Sequence, residues 1–215
     1  MPGTIRKWIL TGDEMNNVDA IALVVGEEQP AIGVGARFST DKTVGKITEE
    51  KITDLMLLEA MAEEQSKEFF QEVPEDRLEF LRQNRLVIAP AMIADRLIRR
   101  IDNDTGEEYF GFFDAVAIRN AQQGFQRFNF IEMFNINHDQ DEFVEGVYTA
   151  ETWIIEDSQT DKAAYYGYNL PPGSWMVAIK FDNEQLYDEL VASGSLNGLS
   201  VEAYLIEQML LTRTS

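Results

Sequence analysis

The sequence contains no cysteine and a single histidine, His138, among its 215 residues. Without cysteine the chain can form no disulfide, use no thiolate nucleophile and hold no cysteine-ligated zinc. One histidine also excludes any site that needs two imidazoles, so a metal site would have to consist mostly of carboxylates. The sequence therefore predicts neither a metal nor a cofactor, and histidine-dependent catalysis would have to use His138.

Long apolar runs and cationic side chains are scarce as well. No apolar run approaches the roughly 20 residues that span a bilayer, and the first residues lack the apolar stretch of a secretory signal. We therefore expect no membrane partner and a cytosolic location. Lys and Arg number 18 against 38 Asp and Glu, a net charge of −20. Such a surface repels phosphate backbones, so we expect no nucleic-acid partner.

The sequence does contain enough apolar residues, 45% of the chain, for one large core. Strands are broken by helices without regular βαβ alternation, which predicts a single α+β domain over 1–215, mainly β, as a barrel or half-barrel with surface helices. Residues 1–45 are interpreted as N-terminal strands that join the barrel, 48–72 as a peripheral helix and 86–206 as the core. Strands are predicted at 18–25, 31–38, 86–93, 97–101, 108–113, 146–157, 174–181 and 200–206, and further helices at 114–128 and 182–194.

A serine near the end of the chain is the candidate nucleophile. The tight turn at Asn197 and Gly198 precedes Ser200, which opens a β-branched and aromatic run at the mouth of the last predicted strand. A serine needs an adjacent base to take its proton, and His138 is the one imidazole that can serve. A structural or surface histidine remains the alternative at this point.

A third group would have to hold the imidazole by its other nitrogen. Glu151 is the first candidate, because it falls on the apolar face of the predicted strand 146–157 and a buried unpaired carboxylate is costly. An exposed strand face or a structural ion pair is the alternative for Glu151. The loop acids Asp139, Asp141 and Asp157 are its competitors.

Several short segments occur together in one order and spacing: Val87–Ile93, Glu108–Gly111, Asn137–Asp139, Ala150–Asp157, Leu170–Val177 and Ser195–Glu202. In this combination the chain resembles the phage prohead (capsid-maturation) serine proteases of the XkdF type, relatives of the herpesvirus assemblin proteases. It departs from their pattern at Ala89 and Ala203, where glycine is expected, and at Asn137, where a carboxylate is common.

The resemblance implies an assemblin-like closed or half-open β-barrel with peripheral helices. It implies Ser200 as nucleophile, His138 as general base and Glu151 as the acid. The implied activity is a serine endopeptidase that cleaves scaffold or core proteins and capsid-protein extensions during bacteriophage virion assembly. Its partners would be the major capsid protein and scaffold proteins, inside the immature capsid (prohead) in the host cytoplasm. Homodimerisation, and self-cleavage near the end of the chain, are further expectations.

Two other functions remain open from the sequence. One is a catalytically inactive structural or scaffold-associated capsid protein that keeps the protease fold. The other is a general esterase or amidase. The absence of a Gly-x-Ser-x-Gly motif argues against the α/β-hydrolase form of that second reading.

Overall fold

The described part of the chain is α+β and mainly strand, which confirms the predicted fold class. The structure is a computed structural model, and it describes residues 4–13, 17–25, 34–38, 73–102, 105–139 and 143–210. The strands are β1 (Thr4–Ile9), β2 (Val18–Val25), β3 (Val34–Phe38), β4 (Leu86–Met92), β5 (Ile98–Ile101), β6 (Glu108–Phe113), β7 (Phe134–Ile136), β8 (Val147–Ile154), β9 (Trp175–Phe181) and β10 (Leu196–Leu210). The helices are α1 (Glu75–Gln83), α2 (Ala115–Arg127), α3 (Lys162–Tyr165) and α4 (Glu184–Tyr187), and α4 continues as a π-helical turn over Asp188–Ala192. The predicted peripheral helix at 48–72 lies outside the described residues.

The larger sheet has the strand order β5-β6-β1-β10-β2-β7, and β3 also pairs with β10. The long strand β10 connects its two halves. Residues Leu196–Ala203 of this strand run antiparallel to β2, and Ile206–Leu210 run antiparallel to β1. Next to them, β6 pairs in parallel with β1 and β7 pairs in parallel with β2.

The smaller sheet has the order β4-β9-β8 and is antiparallel throughout. Its edge strand β4 contains Pro90, and the register shifts between Pro90 and Met92. Both the edge position and the register shift suit a proline, since proline cannot donate to a ladder. None of the sheets closes into a barrel over the described ranges. The closed form of the predicted barrel is therefore wrong there, because the outer strands β5 and β7 do not pair with each other.

The larger of two hydrophobic clusters in the described part of the chain lies between the two sheets and α2. Its largest fully buried side chains include Trp8 from β1, Phe125 from α2 and Trp175 from β9. The rings of Phe125 and Trp175 pack edge to face with centroids 5.3 Å apart, the arrangement that aromatic quadrupoles favour. Val116 in the first turn of α2 points away from the core and is 66% exposed.

The strands β10, β2 and β7 turn one face toward this core. The opposite face carries three buried polar side chains, those of Asn135, Ser200 and Glu202. The core face carries Ile21, Phe134 and Val201. Because side chains alternate along a strand, the residues next to them in the sequence point the other way. No helix in the described part of the chain is long and apolar enough to cross a membrane.

Candidate active site

The candidate nucleophile lies in a row of three residues across neighbouring strands. Ser200 on β10 is opposite Ala22 on β2, and Ala22 is opposite Asn135 on β7. Residues directly opposite each other share a face of the sheet, and residues two apart on one strand do so as well. Glu202, opposite Ala20, therefore lies on the same face as Ser200.

The two alanines of β2 leave room for a contact that crosses that strand. The Asn135 side-chain amide donates a hydrogen bond from Nδ2 to Oε1 of Glu202, with 2.5 Å between the two atoms. Both side chains are buried, with 0% of Asn135 and 1% of Glu202 exposed. A buried carboxylate is costly unless donors compensate its charge. The amide of Asn135 is one such donor.

The candidate base is held in a tight turn directly after β7. Asn137 and His138 have φ angles of 50° and 64°, and the N–H of Asp139 closes the turn on the carbonyl of Ile136 at 3.0 Å. The side-chain oxygen of Asn137 accepts the backbone N–H of Val25 at 2.9 Å, which ties the turn to the end of β2. Left-handed backbone at non-glycine residues costs about 1–3 kcal/mol and persists where the surroundings over-determine it.

The turn brings the His138 ring to the buried carboxylate. Nδ1 of His138 lies 3.5 Å from Oε1 of Glu202. The side chain as a whole is 33% exposed, although Nδ1 itself is buried. A carboxylate beside Nδ1 favours the tautomer that carries its proton there, which leaves Nε2 on the other edge of the ring as a proton acceptor. In the described part of the chain Nδ1 makes no hydrogen bond, so Glu202 acts on the ring at 3.5 Å through its charge rather than through a hydrogen bond.

Ser200 itself lies inside β10, which begins at Leu196, and it is fully buried. The prediction of a hydroxyl at the mouth of a strand is therefore wrong. Ser200 and His138 are related through Glu202, which shares a sheet face with the serine and contacts the imidazole. A direct contact between the Ser200 hydroxyl and the His138 ring stays a prediction.

Glu151 does not have the surroundings that were predicted for the acid. Its side chain is 58% exposed and forms an ion pair with Lys162 of α3. The physical reason is a bulge in β8, because the register with β9 shifts between Thr149 and Glu151. One extra residue in a strand moves the following side chains to the other face. The carboxylate at His138 Nδ1 belongs to Glu202, and the predicted position of Glu151 on a buried apolar face is wrong.

The competing loop acids do not replace Glu202 either. Asp157 is exposed and accepts hydrogen bonds from the backbone of Gln159 and Thr160, which hold the pKa of Asp157 below its ordinary value. Asp139 follows His138 but is exposed. Asp141 lies outside the described residues. Glu202 is the carboxylate that the structure shows next to the imidazole.

Sequence reasoning missed both Glu202 and Asn135, although a signal for them was present. Leu199, Val201 and Ala203 alternate with Ser200 and Glu202 along one strand, so period-two alternation puts the serine and the carboxylate on one face. The same alternation separates Asn135 from its apolar neighbours Phe134 and Ile136. Polar side chains at alternate positions of otherwise apolar strands were the feature that could have identified this group.

An open cleft of about 640 Å³ adjoins the turn of His138. Both chain neighbours of the histidine contribute to it, together with side chains from α4 and the segment before β8. It is lined by Ile136, Asn137, Asp139, Phe143, Val144, Glu145, Asn183 and Leu186.

No metal-binding group was found in the described part of the chain: nowhere in it do three or more His, Asp or Glu side chains cluster as metal ligands would. The chemistry that its residues offer at this site is proton transfer and nucleophilic attack. Comparison of the chain with protein-family models, with curated proteins and with solved structures finds no match.

Proposed function

We propose that this protein is a serine endopeptidase in which Ser200 is the nucleophile, His138 the general base and Glu202 the orienting acid. One observation carries the proposal. The only imidazole of the chain has Nδ1 3.5 Å from a buried carboxylate, and that carboxylate shares a sheet face with Ser200. Two hydrogen bonds support this geometry because they fix the turn against β2. The N–H of Asn137 donates to the carbonyl of Leu23, and the N–H of Val25 donates to the side chain of Asn137.

The proposed reaction uses these groups in two half-reactions. Nε2 of His138 takes the hydroxyl proton as Ser200 Oγ attacks the peptide carbonyl, and the same nitrogen then gives that proton to the leaving amine. The peptide C–N bond breaks and an ester to Ser200 remains. A water molecule then loses a proton to His138 and attacks the ester, which releases the acid and restores the serine. Glu202 stabilises the imidazolium that forms in each half-reaction.

The substrates proposed are scaffold or core proteins and extensions of the major capsid protein, cleaved inside a phage prohead in the host cytoplasm. This part of the proposal rests on the resemblance to prohead proteases. The segments Asn137–Asp139 and Ser195–Glu202 carry both the proposed base and the proposed nucleophile. An assemblin-like arrangement with a half-open barrel is part of the same proposal, as is a homodimer.

A second function is favoured by a specific observation. Ser200 is 0% exposed, and a nucleophile must meet its substrate. A structural capsid protein that keeps the protease fold and cleaves nothing would have no need of an accessible hydroxyl. In the endopeptidase, by contrast, neighbouring groups must move aside before a peptide can reach Ser200.

A serine-directed fluorophosphonate separates these two functions, since it forms an adduct only with an activated hydroxyl. We expect one adduct on the wild-type protein, seen by intact mass and mapped to Ser200, and none on Ser200→Ala. Ser195→Ala is the matched control, because Ser195 is an exposed serine on the same segment and its loss should leave labelling unchanged. A wild-type protein that resists labelling, or labelling that survives in Ser200→Ala, would remove Ser200 from the nucleophile's role.

A further inference from the structure

We propose that Asn135 is a positioning residue that holds the carboxylate of Glu202 toward His138, and this inference rests on the proposed serine endopeptidase. Asn135 touches no substrate in this proposal. It orients the carboxylate of Glu202, and that carboxylate in turn favours one tautomer of His138.

The contacts converge on a single oxygen atom. Oε1 of Glu202 accepts the Asn135 amide at 2.5 Å and lies 3.5 Å from Nδ1 of His138. The amide and the imidazole approach it from one short segment, because β7 carries Asn135 and its following turn carries His138. The donor and the base therefore share one rigid attachment to β2.

The orientation of the Asn135 amide shows which of its two groups matters. Its Oδ1 is buried and has no hydrogen-bond partner in the described part of the chain. A buried acceptor without a hydrogen-bond partner destabilises the fold. Rotating the amide by half a turn would place Oδ1 against the carboxylate oxygen, which is repulsive. The side chain thus keeps its donor on Glu202 and leaves its acceptor unpaired, a local conflict of the kind that occurs at functional sites.

Removing this donor should free the carboxylate to rotate away from the ring. Nδ1 of His138 would then lose the nearby carboxylate charge that favours its protonated form, and less of the base would present an unprotonated Nε2 to Ser200. The expected defect is slower activation of Ser200 in a protein that is still folded.

The pH dependence of fluorophosphonate labelling tests this inference. Asn135→Asp keeps the side-chain shape but donates a hydrogen bond only when its carboxyl is protonated. We expect its labelling rate to fall on the order of tenfold at neutral pH, a part of the roughly 10²–10⁴-fold that general-base catalysis supplies, and the basic limb of the pH profile to move to lower pH. Asn135→Ala should label slowly at every pH.

Gln122→Ala is the matched control, since Gln122 is a buried amide on α2 that bonds Gln126. Its loss removes a buried amide hydrogen bond away from the site, and the pH profile should not move. If Asn135→Ala fails to fold, the isosteric Asp variant carries the test. Unchanged rates and an unchanged profile in a folded Asn135 variant would overturn the inference.

A second measurement separates this inference from the proposed function. His138 is the only histidine, so ¹⁵N NMR reports the tautomer of a single imidazole. We expect the Nδ1–H form in the wild type and a shift toward Nε2–H in Asn135→Ala. A wild type that is not labelled but shows this shift would reject the endopeptidase and keep the positioning role. A tautomer that is identical in both proteins would reject the positioning role.

Discussion

The turn at Asn137 and His138 shows how neighbouring backbone groups fix one functional side chain. Both residues adopt left-handed backbone, a conformation in which Asn and His are enriched among non-glycine residues. The side chain of Asn137 also binds the N–H of Val25. Asparagine at 137, where the resembled family commonly has a carboxylate, therefore has a structural use here in placing His138.

Replacing the acid tests which glutamate orients the base. In Glu202→Gln the side chain keeps its shape but loses the charge that stabilises the imidazolium. We expect the rate of fluorophosphonate labelling, or of peptide cleavage, to fall by about 10²–10⁴-fold. Glu151→Gln should retain at least half of the wild-type rate, because Glu151 is exposed and pairs with Lys162.

These two variants control for each other, because each makes the same chemical change at one glutamate. A large loss in Glu151→Gln together with a normal rate in Glu202→Gln would restore the assignment made from the sequence. Thermal unfolding of both proteins should be compared, since Glu202 is buried and its replacement can also alter stability.

The sequence singled out two of the candidate site residues. His138 stands out because it is the only histidine, and Ser200 because it belongs to a segment that resembles the prohead proteases. The burial of Glu151 was predicted wrongly because the alternation of β8 was extended through Glu151, whereas a bulge shifts the pattern there. Bulges depend on how two strands pair, which a single strand's sequence does not contain. The shared face of Ser200 and Glu202 on β10, and the polar position of Asn135 on β7, could have been predicted from alternation alone.

The start of α2 offers a test at the level of one element. Asp114 accepts the backbone N–H of Ala117 at 2.8 Å and pairs with Lys7 of β1. Its partial burial would by itself raise the pKa of Asp114, but the hydrogen bonds from Lys7 and from Ala117 outweigh burial and keep the pKa below its ordinary value. We expect Asp114→Ala to lower the free energy of unfolding by about 1–2 kcal/mol at neutral pH, as for other lost helix caps.

The sign of the pH dependence follows from that lowered pKa. A carboxyl whose folded pKa is depressed stabilises the fold above its unfolded pKa of about 3.9, and the contribution is lost as the pH falls through the folded value. Urea unfolding of wild type and Asp114→Ala should therefore converge toward low pH. Lys7→Met is the control, since it removes the ion pair and leaves the cap. A difference that stays constant down to pH 2 would contradict this account.

The pairing of β6 with β1 depends on one glycine. A Cβ atom at Gly111 would overlap the indole ring of Trp8, and that ring is fully buried. We expect Gly111→Ala to destabilise the protein by about 1–3 kcal/mol or more, as overpacking does in other cores. Gly198→Ala in β10 is the matched control, because a Cβ there meets no atom within 4 Å. Equal thermal midpoints for the two variants would contradict the overlap.

The elements that the sequence did not predict have identifiable causes. Both faces of β1 mix polar and apolar residues, so alternation does not reveal it, and its position comes from pairing with β6 and β10. Helix α1 has no buried residue, and no element was predicted over its charged sequence. Its acids at the start and Arg82 at the end match the helix dipole, a signal that could have identified it. Strand β2 and the helix at 114–128 were predicted correctly, and Asp114 caps that helix.

At the scale of the whole molecule, β10 joins groups of strands that are distant in the chain. It pairs with β2 over its first half and with β1 over its second, and β4 of the smaller sheet packs against it. Strand content was predictable from apolar patterning, and hence so was the fold class. Which strands become neighbours was not, because register and sheet order depend on long-range pairing that local patterns leave undetermined.

The net charge leads to a prediction for the molecule as a whole. Even if all 18 cationic side chains were paired, 38 − 18 = 20 acids would remain, and their mutual repulsion disfavours the compact state. The Debye length falls from about 30 Å at 0.01 M salt to about 8 Å at 0.15 M. We therefore expect Tm to rise by about 2–4 °C when NaCl is raised from about 0.01 M to about 0.15 M. For a chain of this size, that rise corresponds to a gain of about 1 kcal/mol in the free energy of unfolding. Sucrose at equal osmolarity controls for solute exclusion. A fall in Tm would mean that attractive pairs such as Arg6 with Asp102, 2.7 Å apart, outweigh the repulsion among the remaining acids.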